Sequence, residues 1–117
     1  MSVSPSFRVF VLEQLGRVLP EVRARSMFGG AGIYSGDRFF ALIADDVLYF
    51  KVDATNRPEF EARGMGPFRP AGPDGEVMQY YEVPADVLED VEALRAWAAG
   101  ALAVAVAARR GRGISRR

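Results

Sequence analysis

A chain of 117 residues, half of them apolar and 11% aromatic, is long enough for one packed core and too apolar to stay unfolded. It holds no cysteine and no histidine, which excludes disulfides, Ser-His and Cys-His nucleophilic systems, and nearly all zinc and haem sites. Net charge is zero but uneven: the last nine residues carry five arginines and no acid, leaving a body of net charge −5, which is not the footprint of a domain that reads DNA across one face.

Ser4 or Ser6 can cap a first helix, with Pro5 in its first turn. Phe7, Val11, Leu15 and Val18 or Leu19 recur at helical spacing, and Pro20 ends the run. Val22 to Phe28 has extended character, and Gly32 to Ser35 reads as a strand. After a turn at Ser35-Gly36-Asp37, Arg38 to Ala44 and Val47 to Asp53 read as a hairpin around Asp45-Asp46. Asn56 to Arg63 reads as a short helix, capped by Thr55 or Asn56 and stopped by Gly64. Met65 to Gly75, with three glycines and three prolines, is loop with a short strand at Pro67 to Arg69. Val77 to Val83 is a strand. Val87, Leu88, Val91, Leu94, Trp97, Ala98, Ala101, Leu102 and Ala105 form the apolar stripe of one final helix, starting at Pro84, Asp86 or Asp90. Trp97, on that stripe, is expected to be largely buried against the sheet.

Helix, three strands, helix, two strands, helix predicts an α+β fold: a two-layer sandwich with a mainly antiparallel five-stranded sheet and helices on one face. Residues 1–108 are expected to form the domain and 109–117 a basic disordered tail. No apolar run free of charge reaches membrane-spanning length, the nearest being Ala98 to Ala108. Met1-Ser2-Val3-Ser4-Pro5 lacks the pattern of a secretory signal, so a cytoplasmic location is expected.

The stretch Arg25-Ser26-Met27-Phe28-Gly29-Gly30-Ala31-Gly32-Ile33-Tyr34 stands out. Glycine in an extended segment costs roughly 0.5–1 kcal/mol relative to alanine. Three within four residues point to a bend or bulge, or to close approach by a ligand or another backbone. Phosphate-binding loops are excluded, because Ile33-Tyr34 follow instead of Lys-Ser/Thr, and Ser35 breaks the Gly-x-Gly-x-x-Gly pattern. Asp45, Asp46 and Asp53 have metal-ligand chemistry, but adjacent aspartates suit turn backbones. Glu59, Glu61, Glu89, Asp90 and Glu92 lie where helix N-termini favour negative charge.

Phe39-Phe40, Tyr49-Phe50 and Tyr80-Tyr81 each send one ring to each face of a sheet. Leu48, Phe50 and Val52 suit the covered face; Tyr49 and Lys51 suit the open one. Rings on an open face mark an interaction surface or a face partly covered by a loop or the terminal helix. No catalytic constellation, cofactor motif or metal set emerges. The candidate interaction or ligand surface is Arg25, Gly29, Gly30, Gly32, Tyr34, Tyr49, Lys51 and Tyr80. A protein partner is expected, a homodimer being one form of it. Nucleic-acid contact is confined to weak, salt-sensitive binding through the basic tail. No membrane partner is expected.

The glycine stretch, Phe40-Ala41-Leu42-Ile43, Leu48-Tyr49-Phe50-Lys51-Val52-Asp53, Phe60, Gly64-Met65, Pro67-Phe68, Met78-Gln79-Tyr80-Tyr81-Glu82-Val83-Pro84, Leu94 and Trp97 follow in a set order. In that order they resemble the N-terminal domains of the bacterial TfoX/Sxy competence-regulator family, from about Arg8 to Ala107. The resemblance implies a two-layer domain with an antiparallel sheet, similar to secretion-chaperone-like folds. Full-length relatives join this domain to a C-terminal helical domain and regulate competence genes in concert with the cyclic-AMP receptor protein. The resemblance supplies no catalytic residues. A non-enzymatic regulatory or protein-interaction module is therefore expected. The alternative is a small-ligand-binding domain or unusual enzyme using Arg25, Tyr34, Arg69 or Tyr80 near the glycine bend. A deep pocket gathering those polar groups favours the alternative; an apolar sheet face favours the module.

Overall fold

The computed structural model describes residues 4–27 and 29–115, the side chains from position 109 onward excepted. Helix α1 spans Pro5–Gly16, and the Ser4 hydroxyl accepts from the Phe7 N–H at 3.3 Å as its cap. Four strands follow: β1 Val22–Met27, β2 Gly30–Ser35, β3 Arg38–Ala44 and β4 Val47–Lys51. Then come α2 Arg57–Ala62, β5 Pro67–Phe68, β6 Met78–Glu82, α3 Ala85–Glu89 and α4 Val91–Ser115. All strand pairs are antiparallel, in the order β1-β2-β3-β4-β6-β5.

The fold is α+β with an antiparallel sheet, but the sheet has six strands, four of them before α2, not five with three before it. The extra one is β1. It alternates Val22, Ala24 and Ser26 with Arg23, Arg25 and Met27, a pattern of small and mainly charged residues that carries little of the apolar signal of a buried strand. Six residues of β2 pair with it in unbroken register. The outermost strands differ. β5 is two residues long, with Pro67 and nearby Pro70 lacking backbone donors, whereas β1 is six residues long without proline.

Between β2 and β3 the register slips: Ile33 opposes Ala41 while Tyr34 opposes Phe39, leaving Phe40 as the extra residue of a bulge. The slip lets Phe40 and Ala41 both enter the core, while Phe39 turns to the other face. The core lies between the sheet and the helices: Val11 and Leu15 of α1, Ile33, Phe40, Ile43, Leu48, Phe50 and Val52 of the sheet, Val87 and Leu88 of α3, and Leu94, Ala98, Ala101 and Ala105 of α4. Buried Gln14 donates from Nε2 to the Leu88 carbonyl at 2.9 Å, tying α1 to α3 without an unpaired polar atom. Buried Asn56 accepts from the Asp53 N–H and donates to the Lys51 carbonyl, locking the β4–α2 connection.

The C-terminal region is two helices, not one. Asp90 leaves helical geometry (φ −110°, ψ 106°) between α3 and α4, and its Oδ1 accepts from the Glu92 and Ala93 N–H groups. Trp97 is partly buried against the core, and its ring packs edge-on against Phe60 of α2, 4.7 Å between centroids. Window 91–108 of α4 is long and apolar enough to cross a membrane, yet Leu94, Ala98, Ala101 and Ala105 line the core, as in a helix of a globular layer. The α4 backbone continues to Ser115. The side chains of the basic tail expected at 109–117 lie outside the described residues, as does Phe28 of the glycine stretch.

Candidate functional site

Facing residues of an antiparallel pair point to the same side, so the register assigns the sheet's second face. Arg23 and Tyr34, Arg25 and Gly32, Met27 and Gly30, and Lys51 and Tyr80 share it. Leu48, Phe50 and Val52 are buried among the helices, and Tyr49 and Lys51 are half-buried on the other side, as their alternation predicts. The seven strand residues of the candidate surface, Gly30 included, thus come together on one face, with Gly29 in the turn at its margin.

The glycines have separate causes. Gly29, at φ 77°, closes the short connection between the facing residues Met27 and Gly30. A β-carbon on Gly30 would fall on the Ile43 carbonyl oxygen of β3. One on Gly32 would meet the Met27 methyl at 2.7 Å and the Phe39 ring at 3.0 Å, since both side chains lie across its bare backbone. The expected bend is a tight hairpin turn plus two close approaches. The bulge lies further along, opposite Tyr34.

A row of stacked groups crosses the face. The Arg23 guanidinium sits 4.9 Å from the Tyr34 ring centre; Tyr34 stacks on Phe39 at 5.1 Å; Phe39 tilts against Tyr80 at 5.7 Å; the Lys51 ammonium lies 5.1 Å from the Tyr80 ring. Tyr80 is only 4% exposed, and burial, with Tyr34 adding, pushes its phenol up to about 12. Tyr49 packs against Phe68 of β5 at 4.9 Å, and burial, then Glu82 and Asp45, raises its phenol as well. The face is therefore partly covered, by β5 and its neighbouring loop, with the aromatic row left beside that cover.

Between the cover and the glycine turn lies a groove of about 620 Å³. Met27, Phe39, Leu42, Phe68 and Met78 give it apolar walls; Gly29 and Gly30 contribute backbone; Arg69 and Asp45 add charge. Of the four polar residues that a ligand site was expected to use, the groove takes in Arg69 alone. Arg25, Tyr34 and Tyr80 lie elsewhere on the face. Met27, Phe39, Leu42, Phe68 and Met78 were not among the candidate residues. The doubled aromatic at Phe39-Phe40 signalled one ring here, but only the bulge decides which ring it is. Asp45 and Asp46, both left-handed (φ 53° and 58°), form the β3–β4 turn. Among the described residues no three acidic side chains converge to hold a metal.

A model of the TfoX N-terminal domain matches residues 13–105. The chain belongs to the TfoX N-terminal domain family. The match spans all six strands, the groove, and α4 to Ala105, the last core residue of that helix. No curated protein matches the chain. In this TfoX N-terminal domain Met27 and Gly29 to Ala31 build one wall of the groove, and Gly30 and Gly32 the close packing behind it.

Proposed function

We propose that this TfoX N-terminal domain is a non-enzymatic protein-interaction module that receives apolar side chains of a partner protein in the groove beside the glycine turn. The carrying observation is the groove's chemistry: apolar walls, one cation and one carboxylate, and no acid–base or nucleophilic pair. Its rim runs into solvent at Met78, 38% exposed, next to Val77, 40% exposed, as a contact surface does and an enclosed pocket does not. The family suggests a regulatory setting in a bacterial cytoplasm, with competence or transcription as the process served.

Affinity capture from the native host with wild type and Met78→Glu tests this. Met78 is exposed, so the variant should fold normally, and partners retained by wild type should be lost from it. Identical partner sets would reject the groove as the contact. A small-ligand reading draws on the groove's volume, which falls within the range of ligand sites. Native mass spectrometry showing a metabolite displaced by Met78→Glu would favour that reading instead.

A further inference from the structure

We infer that the outer edge of β1 accepts an acidic, extended peptide as a seventh strand. The inference rests on the reading of this domain as an interaction module and names the partner's chemistry. Among the described residues β1 pairs with β2 alone, and its six-residue outer side is a template for main-chain hydrogen bonding. Arginines flank that side on both faces of the sheet. Arg23 and Arg25 project on the face opposite the helices, facing Tyr34 and Gly32. On the helical face, Arg8 of α1 reaches the Ser26 hydroxyl at 3.0 Å. Two guanidinium groups on the strand and a third from α1 stand apart from a body of net charge −5.

An added strand brings alternate side chains alongside Arg23 and Arg25 on one face and Arg8 on the other, so carboxylates find a cation at either parity. Glu21 and Asp37 share a surface with Val22 and Arg23, which centres the favourable stretch on Arg25. A second copy fits poorly. Two-fold antiparallel pairing of β1 with itself, centred on Ala24 or Arg25, sets arginine directly opposite arginine, which is destabilising. The charges that turn a like strand away select an opposite one.

The probe is a fluorescent peptide of alternating glutamate and valine, titrated into the full chain at low salt, with a lysine–valine peptide as control. The glutamate peptide should bind, the lysine peptide should not, and amides in 22–27 should gain protection from hydrogen exchange. Arg23→Glu with Arg25→Glu should weaken binding by about tenfold or more, while the double lysine variant keeps most of it. Unchanged affinity in the charge-reversed variant, or protection away from β1, would overturn the inference. So would tighter binding of an oligothymidylate with the same arginine dependence, which would assign the strip to single-stranded nucleic acid. Met78→Glu separates the two readings: peptide binding that survives it while partner capture is unaffected removes the groove alone, and partner loss without any peptide binding removes the edge alone.

Discussion

Gly30 and Gly100 sit in regular elements, yet a methyl group added to each should act in opposite directions. At Gly30 the new β-carbon meets the Ile43 carbonyl oxygen, with the carbonyl carbon 3.4 Å away, and backbone in a sheet centre does not yield. Gly30→Ala should cost about 1 kcal/mol or more. Gly100 lies within α4 with nothing within 4 Å of the added carbon, so Gly100→Ala should stabilise by roughly 0.5–1 kcal/mol. Urea midpoints of the two variants check both signs. Tyr80 gives a pH test. Its phenol is held up to about 12 in the folded chain, above the ordinary 10, so the folded state holds its proton longer than the unfolded state. That contribution is fully present below about pH 10 and fades as pH rises towards about 12. Wild type should lose stability across that window, and Tyr80→Phe should lose less; a parallel decline in both would reject the assignment. The glycine cluster was visible in the sequence, but the reason for Gly32 was not, because it depends on Phe39, which arrives from the next strand.

At the scale of elements, local signals succeeded where one side chain acts on its own backbone. Ser4 as a cap, Gly64 as a stop and Asp45-Asp46 as a turn are all legible. Asp90 was readable as a cap, but not as one between two helices, since Pro84 and Asp86 offered equally good starts to a single one. Asp90→Ala should cost about 1 kcal/mol by stripping α4 of its first acceptor, seen as a lowered thermal midpoint. Periodicity names the stripe, but tertiary packing decides each side chain's partner. Trp97 shares the stripe of Leu94 and Ala101, yet α2 stands beside that turn and takes the ring against Phe60. Phe60, 1% exposed, is the better-buried partner. Phe60→Ala should therefore cost roughly 3–5 kcal/mol and Trp97→Ala distinctly less, although tryptophan is larger. Equal losses in chemical denaturation would show that Trp97 carries more of the packing than its exposure implies.

The whole molecule divides its chemistry by face. Helices seal one side of the sheet, and the other keeps aromatic rings, cations and a groove. That division was legible from alternation in β4, and the family from ordered motifs; the groove walls were not, because β5 and its loop join them to the sheet from far along the chain. Core packing in α4 reaches Ala105, so removing residues 109–117 should change the unfolding free energy by no more than about 0.5 kcal/mol. A large loss would mean that the end of α4 packs on the domain. The unequal edges of the sheet carry a last consequence. Strand-by-strand polymerisation needs two reactive ends on every unit, and with β5 so short and beginning at proline the described residues offer one. In the language of polymer chemistry it is monofunctional: a chain stopper, whose growth by edge pairing ends at a single addition.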